Sequence, residues 1–292
     1  MSEIAAPVTS SNSLLAFHRK MLRDKPLGGM GGIVFALFLF CGLFADFLAP
    51  YGMNETDMRR VLEAPSLAHW MGTDHIGRDV FSRILYGAQL SVIIGFLAAG
   101  LATVISIVLG VLTGYFGGKA DMLIQRFVDA WMTFPDLVVL IVVVSIIGAG
   151  EVPIIIILGC LYGIAGSRII RGSTIAVREN MYTHAAQSMG ANTLHIIWFH
   201  VLPNVMPVVI VLFTTRVGAV ILAEAGLSFL GLGIPPPVPT WGSMLSGGGR
   251  TYMYVGPWLA LAPGLALTVV VYAINVYGDA LRDMLDPRMG GR

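Results

Sequence analysis

The sequence predicts an all-α integral membrane protein with six transmembrane helices, and three features lead to this prediction. Of the 292 residues, 56% are hydrophobic and only 12% are charged, which is about half the charged fraction of an ordinary soluble domain. The mean hydropathy is +0.79. Several apolar runs approach the ~20 residues that a helix needs to cross a bilayer. Such a composition excludes a soluble enzyme and a disordered chain, and a net charge of +1 indicates no nucleic-acid partner.

Six apolar segments account for the predicted crossings. The first is uncharged and lacks a small-residue cleavage site after it, so it is expected to be a retained helix and not a signal peptide. The third contains Asp129 and Asp136, and the fifth contains Arg216 and Glu224. The segments are 27–45, 84–118, 127–150, 152–167, 206–226 and 251–278.

The distribution of basic residues predicts the orientation. With six crossings, twelve of the 18 Lys and Arg residues fall on the side of the two termini, and five fall on the other side. Because loops rich in Lys and Arg stay in the cytoplasm, both termini are expected to be cytoplasmic.

The crossings and their connections divide the chain into five parts. The external connection is expected to contain a helix at the membrane surface, with a cap in Gly72-Thr73-Asp74 and a helical pattern over 79–86. The parts are a cytoplasmic tail (1–26), the first transmembrane helix (27–49), an external loop with this surface helix (50–88), a five-helix core that includes a cytoplasmic loop at 171–205 (89–278), and a cytoplasmic tail (279–292).

The cytoplasmic loop has the pattern of two short helices. Residues 182–189 favour a helix that stops at Gly190. Asn192 or Thr193 then caps a second helix, which the Leu-Pro pair at 202–203 is expected to close. The small residues of the first helix allow close docking in a groove on another protein, while a simple connection between two spans is the alternative.

The same loop resembles the "EAA" loop of bacterial ABC-importer permeases. That loop reads Glu-Ala-Ala, then Gly after three residues, then Leu-Pro. In this family it forms a coupling helix that docks in a cleft of the cytoplasmic ATPase. The family's Glu is replaced by His184, whereas the other positions keep the family spacing. The implied coupling residues are His184, Ala185, Ala186, Gly190, Leu202 and Pro203.

Further blocks resemble the permeases of the dipeptide, oligopeptide and nickel branch, in particular their "C"-type subunit. This resemblance implies the type I ABC importer permease fold, a location in the bacterial inner membrane, and import of dipeptides or oligopeptides. Nickel chelates, haem or another small solute are the alternatives. The implied partners are a homologous "B"-type permease, two ABC ATPases, an extracytoplasmic solute-binding protein and membrane lipid. The blocks are 69–74, 77–80, 114–118, 126–129, 134–135, 224–233, 239–242, 278–279, 281–283 and 285–288.

The sequence indicates no catalytic site in this chain. It contains no phosphate-binding loop with the pattern Gly-x-x-x-x-Gly-Lys-Ser/Thr, so ATP and Mg²⁺ are expected in the partner ATPases. We predict no catalytic residue, no cofactor and no metal ligand in the chain. A self-sufficient secondary transporter or a membrane enzyme is the rival interpretation, but few charges lie within the spans and no inverted repeat is visible.

Four residues are candidates for the pore or its outer vestibule: Arg216, Glu224, Ser228 and Phe229. A charge within a span faces a bundle interior, a partner helix or a water-filled path. For Arg216, structural pairing with the partner permease or snorkelling is the preferred interpretation, and contact with the solute is the alternative. The proline-rich segment 227–239 is either a lining element of the vestibule or a stiff external loop.

Overall fold

The computed structural model describes residues 11–285 and consists of α-helices joined by short connections. Within this range thirteen α-helices and two π-helical turns follow one another. They are α1 (Ser11–Asp24), α2 (Pro26–Leu43), α3 (Ala45–Leu48), α4 (Val80–Phe116), α5 (Gly118–Trp131), α6 (Asp136–Ile147), α7 (Glu151–Arg178), α8 (Met181–Ser188), α9 (Thr193–Ile196), a π turn (Ile197–Val201), α10 (Leu202–Phe229), α11 (Trp241–Met244), a π turn (Leu245–Gly249), α12 (Arg250–Tyr252) and α13 (Trp258–Leu285). Parts of both predicted tails, residues 1–10 and 286–292, lie outside this range.

Five helices are long and apolar enough to cross a membrane, and a sixth crossing is broken. The five are α2, α4, α7, the unit Thr193–Phe229 and α13. In place of the straight third span that we expected, α5 and α6 meet at an angle of 85°. The break follows from Pro135, which has no backbone N–H to donate and disfavours a helical residue before it.

The surface helix that we expected before the second span is not a separate element. Helix α4 begins at Val80 and runs without interruption to Phe116. Its 37 residues measure about 55 Å, well beyond the ~30 Å hydrocarbon core of a bilayer, so part of it extends outside. Its N-terminus is capped by Asp79, whose carboxylate accepts a hydrogen bond from the Ser82 N–H at 2.7 Å, and not by residues 72–74.

The Leu-Pro pair at 202–203 does not close the second loop helix, contrary to our expectation. Helix α9 continues through the π turn Ile197–Val201 into α10, where the Leu202 N–H donates to the Ile197 carbonyl. A π turn widens the backbone at the point where the proline ring would clash with the preceding turn. The predicted 171–205 loop is therefore shorter, because 171–178 belong to α7 and 193–205 are helical.

Helices α4 and α7 form the closest pair in the bundle, and small residues allow their approach. A Cβ added at Gly163 would lie 2.7 Å from Ile105 Cβ, and one at Gly110 would lie 2.8 Å from the Ser167 carbonyl oxygen. The Ser106 hydroxyl donates to the Gly163 carbonyl at 2.9 Å. Small residues and interhelical hydrogen bonds of this kind are typical of helix packing in membranes.

The bundle has two distinct ends. The loop end contains residues 179–192, and the start of α2 and the last turns of α13 lie there as well. The Lys25 ammonium contacts the Asp283 carboxylate at 2.9 Å. The opposite end, called the cap end, contains residues 44–79 and 230–257.

The cap end is a folded structure and not an open loop. The Asp79 carboxylate receives a 2.9 Å hydrogen bond from His69 Nδ1, and both residues are buried. Arg60 donates to the other ring nitrogen, which fixes the tautomer because arginine cannot accept. The Asp74 carboxylate binds the Arg78 guanidinium at 2.7 Å, and the Trp258 indole N–H donates to the Thr73 carbonyl. The 69–80 sequence blocks thus build this cap.

Candidate functional site

The loop end contains α8, the helix that the sequence indicated as the coupling element. Its C-terminus forms a Schellman motif, with the Ala191 N–H donating to the Ala186 carbonyl and the Gly190 N–H to that of Gln187. Gly190 has φ +84, so its role as the stop is confirmed. Asn192 caps α9 by accepting from the His195 N–H at 2.7 Å.

One face of α8 is buried within the chain itself. Ala186 is 4% exposed and packs in a cluster with Val177, Ile196 and Val201. Thr183 is fully buried, and its hydroxyl donates to the Val177 carbonyl at 2.9 Å. The face of Ala186 is therefore turned into the chain, and our expectation that Ala186 belongs to the docking face is wrong. Instead, this face fixes α8 to α7 and α10. Gly190 is exposed.

The side of α8 that faces away from this cluster is exposed. Met181, His184 and Ala185 are exposed on α8, and exposed apolar side chains follow at Met189, directly after the helix, and at Leu194 in α9. Met181 is 87% exposed, Met189 is 82% exposed and Leu194 is 68% exposed. We call these five residues the α8 surface. Exposed apolar side chains of this kind indicate a site of protein contact.

A carboxylate lies beside His184, which stands where the family motif has glutamate. Glu179 lies just before α8, and its carboxylate is 4.0 Å from His184 Nε2. Arg178 donates to the same carboxylate at 2.7 Å and thereby holds the pKa of Glu179 below its ordinary value. An acidic side chain is therefore present at the rim of the α8 surface.

Leu202 and Pro203 lie in the continuous helix beyond the α8 surface. Leu202 is half-buried and Pro203 is exposed. Asn204 donates from its side chain to the His200 carbonyl at 2.7 Å in the turn that the proline interrupts. These two residues shape the entry into α10 and do not lie on α8.

Arg216 lies near the middle of α10, farther from the helix end than we expected. Fourteen residues separate it from Leu202, about 21 Å along the helix, so its side chain cannot reach the interface by snorkelling. The guanidinium carbon is 5.0 Å from the centre of the Tyr162 ring. Among residues 11–285, Arg216 Nε has no hydrogen-bond partner. Asp136 is the first residue of α6, which contacts both α7 and α10.

Glu224 and Ser228 do not line an open vestibule as we expected. Both are 2% exposed, and the Ser228 hydroxyl donates to the Glu224 carboxyl at 2.6 Å. Helix α11, which Thr240 caps, lies against α10 beside Glu224, because a Cβ added at Gly242 would overlap the Ala225 carbonyl oxygen. Glu224 therefore lies where α10 meets the cap end. Phe229 is 45% exposed at the end of α10, and Pro235, Pro236 and Pro237 form an exposed, non-helical turn.

Two residues that contribute to these sites, Tyr162 and Asp136, were not identified as site residues from the sequence. Tyr162 lies in an apolar run without a distinguishing motif, and its proximity to Arg216 depends on the packing of α7 against α10. Asp136 follows Phe134-Pro135, and this dipeptide was a signal for a helix break that would leave the acid at membrane depth.

Comparison with known families adds an independent finding. Residues 106–291 match the family described as "binding-protein-dependent transport system inner membrane component". Residues 13–65 match the "N-terminal TM domain of oligopeptide transport permease C". Together the two matches leave out residues 66–105, which contain most of α4.

Individual relatives cover the chain almost from end to end. It is 39% identical over 274 residues to the glutathione transport system permease protein GsiD of Pectobacterium atrosepticum, covering 94% of this chain and 90% of the relative. It is 38% identical over 270 residues to the dipeptide transport system permease protein DppC of Alkalihalophilus pseudofirmus, with coverage of 92% and 88%. The probable D,D-dipeptide transport system permease protein DdpC of Escherichia coli is 35% identical, with coverage of 93% and 91%.

One solved structure has a similar fold. The MetNI methionine ABC transporter in an inward-facing conformation contains a chain that matches with a TM-score of 0.56 and 18% identity. The match covers 70% of this chain and 96% of that chain. At this identity the likeness concerns the fold alone.

Proposed function

Because the chain belongs to the family of binding-protein-dependent transport system inner membrane components, in its dipeptide and oligopeptide branch, we propose that it is the C-type permease of an ATP-driven peptide importer. It provides one half of a transmembrane path and pairs with a homologous B-type permease. The names of its relatives, which transport dipeptides and glutathione, support a peptide-like solute.

The α8 surface is the main structural observation that supports this proposal. It is exposed and apolar on one side and fixed to α7 and α10 on the other, so a partner that moves α8 also moves two membrane-spanning helices. We propose that the partner is a cytoplasmic ABC ATPase. ATP, with Mg²⁺, binds to two such subunits, and their closure shifts the path between outward and inward access.

The loop end then lies in the cytoplasm and the cap end lies outside. This orientation rests on the excess of Lys and Arg at the loop end. An extracytoplasmic binding protein delivers the peptide at the cap end. The folded cap, held by Asp74 and by the His69–Asp79 pair, gives such a protein a rigid surface.

Co-purification tests this assembly. The chain is expressed with the sister permease and the ATPase subunits encoded beside it, and the complex is isolated through a tag on this chain. We expect all subunits in one complex whose ATP hydrolysis rises when peptide-loaded binding protein is added. If a stable, pure chain binds none of these subunits, the proposal is wrong.

A further inference from the structure

A group of three polar side chains within the membrane-spanning helices is the second functional feature of the chain, after the α8 surface, and it concerns the solute. Arg216 of α10, Tyr162 of α7 and Asp136 of α6 come from three different helices. Each lies about 17–20 Å along its helix from the cap end, since 13, 11 and 11 residues separate them from Phe229, Glu151 and Ile147. Because α6 contacts both α7 and α10, the three residues lie at a similar height within the membrane-spanning part of the bundle.

The two charges of this group are incompletely neutralised. Asp136 and Arg216 carry opposite charges on two helices that contact each other, α6 and α10, but the described part of the chain contains no direct ion pair between them. Tyr162 is buried, and its ring lies against the guanidinium, a contact that holds a cation in place without neutralising it. The Nε of Arg216 remains without an acceptor within residues 11–285. A buried polar group of this kind is costly unless a partner supplies the missing hydrogen bond.

The surroundings indicate that this partner comes from a water-filled path. Asp136 is exposed on the chain, and a carboxylate at membrane depth does not face lipid. The helix break beside it, residues 132–135, leaves non-helical backbone at that depth, which is tolerated only where protein or water covers it. Broken helices at mid-depth are typical of solute sites in transporters.

We propose that Arg216, Tyr162 and Asp136 form a solute-binding site within the translocation path, in which the guanidinium binds the carboxylate of a peptide and the Asp136 carboxylate binds its ammonium group. Tyr162 holds the guanidinium in position. The site selects zwitterionic peptides, because a solute that lacks either charge leaves one of the two protein charges unpaired. This inference rests on the proposed function.

Uptake by reconstituted complexes tests the site. Complexes with Arg216→Gln, Arg216→Lys or Asp136→Asn are compared with wild type, with dialanine and its binding protein outside and ATP inside. We expect Arg216→Gln to lower kcat/KM for dialanine at least tenfold, since a charged hydrogen bond is lost, with Arg216→Lys retaining part of it. Arg23→Gln, which removes an exposed arginine at the loop end, is the control and should transport normally.

The outcomes separate a solute site from a structural pair. Normal yield of complex with impaired uptake supports the site. Loss of the assembled complex in Arg216→Gln would show that the arginine pairs with the sister permease, and unchanged uptake would also overturn the site. If the wild-type complex itself imports no peptide, the proposed function fails and not only this inference.

Thiol labelling gives a second, independent test. In a background with Cys41→Ser and Cys160→Ser, Thr133→Cys lies at the helix break and should react with a charged, water-soluble methanethiosulfonate. Dialanine with its binding protein should slow that reaction. Val269→Cys is the control, because Val269 lies at a similar depth on the apolar, 49% exposed face of α13 and should stay unreactive. Equal reactivity at the two positions would contradict a path at Asp136.

Discussion

Substitutions at two adjacent alanines of α8, Ala185 and Ala186, distinguish internal packing from docking of a partner. Ala186 is 4% exposed and packs against the chain's own cluster, whereas Ala185 is exposed. Replacing each with Leu adds the same three carbon atoms in directions that differ by about 100° around the helix. The two substitutions should therefore have different consequences, although they lie one residue apart.

Ala186→Leu should destabilise the permease itself. Its added carbons enter a cluster of buried Val and Ile side chains, and such overpacking costs about 1–3 kcal/mol. The backbone has little room to shift, because the Ala186 carbonyl accepts the Schellman hydrogen bond and Thr183, one turn earlier, is fixed to α7. We expect a lower melting temperature and a reduced yield of the permease pair in detergent.

Ala185→Leu should leave that melting temperature unchanged and weaken the complex with the ATPase. The larger side chain protrudes from the α8 surface, where it alters the fit of a docked partner. The assay measures the thermal unfolding of the permease pair, then the ATPase retained on a tagged permease, then uptake. If Ala186→Leu is as stable as wild type, or if Ala185→Leu retains the ATPase and normal uptake, the assignment of an inner and an outer face of α8 is refuted.

Three further predictions concern other parts of the structure. Asp79→Ala removes the cap of α4 and leaves His69 Nδ1 unpaired, so it should cost about 2–4 kcal/mol of stability. Glu55→Ala at the exposed rim is the control. Equal melting temperatures of the two variants would contradict the structured cap. Gly190→Ala places a Cβ at φ +84 and should destabilise the α8–α9 turn by about 1–2 kcal/mol, while Gly190→Asn should cost less, because Asn tolerates this conformation. Apart from the chain neighbours of Gly190, no described atom lies within 4 Å of the added Cβ. An equal loss of stability for both substitutions would therefore show that volume, and not φ, matters. In the cysteine-free background Thr56→Cys should react with an impermeant thiol reagent on intact cells and Ser188→Cys only after the membrane is opened, and the reverse pattern would invert the orientation.

Local features of the fold could be predicted from the sequence, because short-range chemistry determines them. Gly190 ends α8 through its positive φ, and Asn192 caps α9 with its own side chain. Uncharged runs of sufficient length located the continuous membrane helices for the same reason. Each of these signals involves residues only a few positions apart.

Features that depend on distant neighbours were missed. The sequence analysis predicted a proline break at Pro203, where a π turn keeps the helix continuous, and none at Pro135, where the helix breaks. The inward face of α8 follows from its packing on α7 and α10, and nothing in residues 181–188 alone determines it. Asp136, Tyr162 and Arg216 likewise lie on three different helices, and they are 26 to 80 positions apart in the sequence.

Transport into liposomes tests the central claim, that this chain is the permease of an ATP-driven peptide importer. The purified complex is reconstituted with its ATP sites facing the lumen, and labelled dialanine is added outside with the binding protein. We expect accumulation that requires lumenal ATP, Mg²⁺ and the binding protein, and that disappears when this chain is omitted. Accumulation without ATP or binding protein, driven only by an ion gradient, would contradict it and identify a secondary transporter.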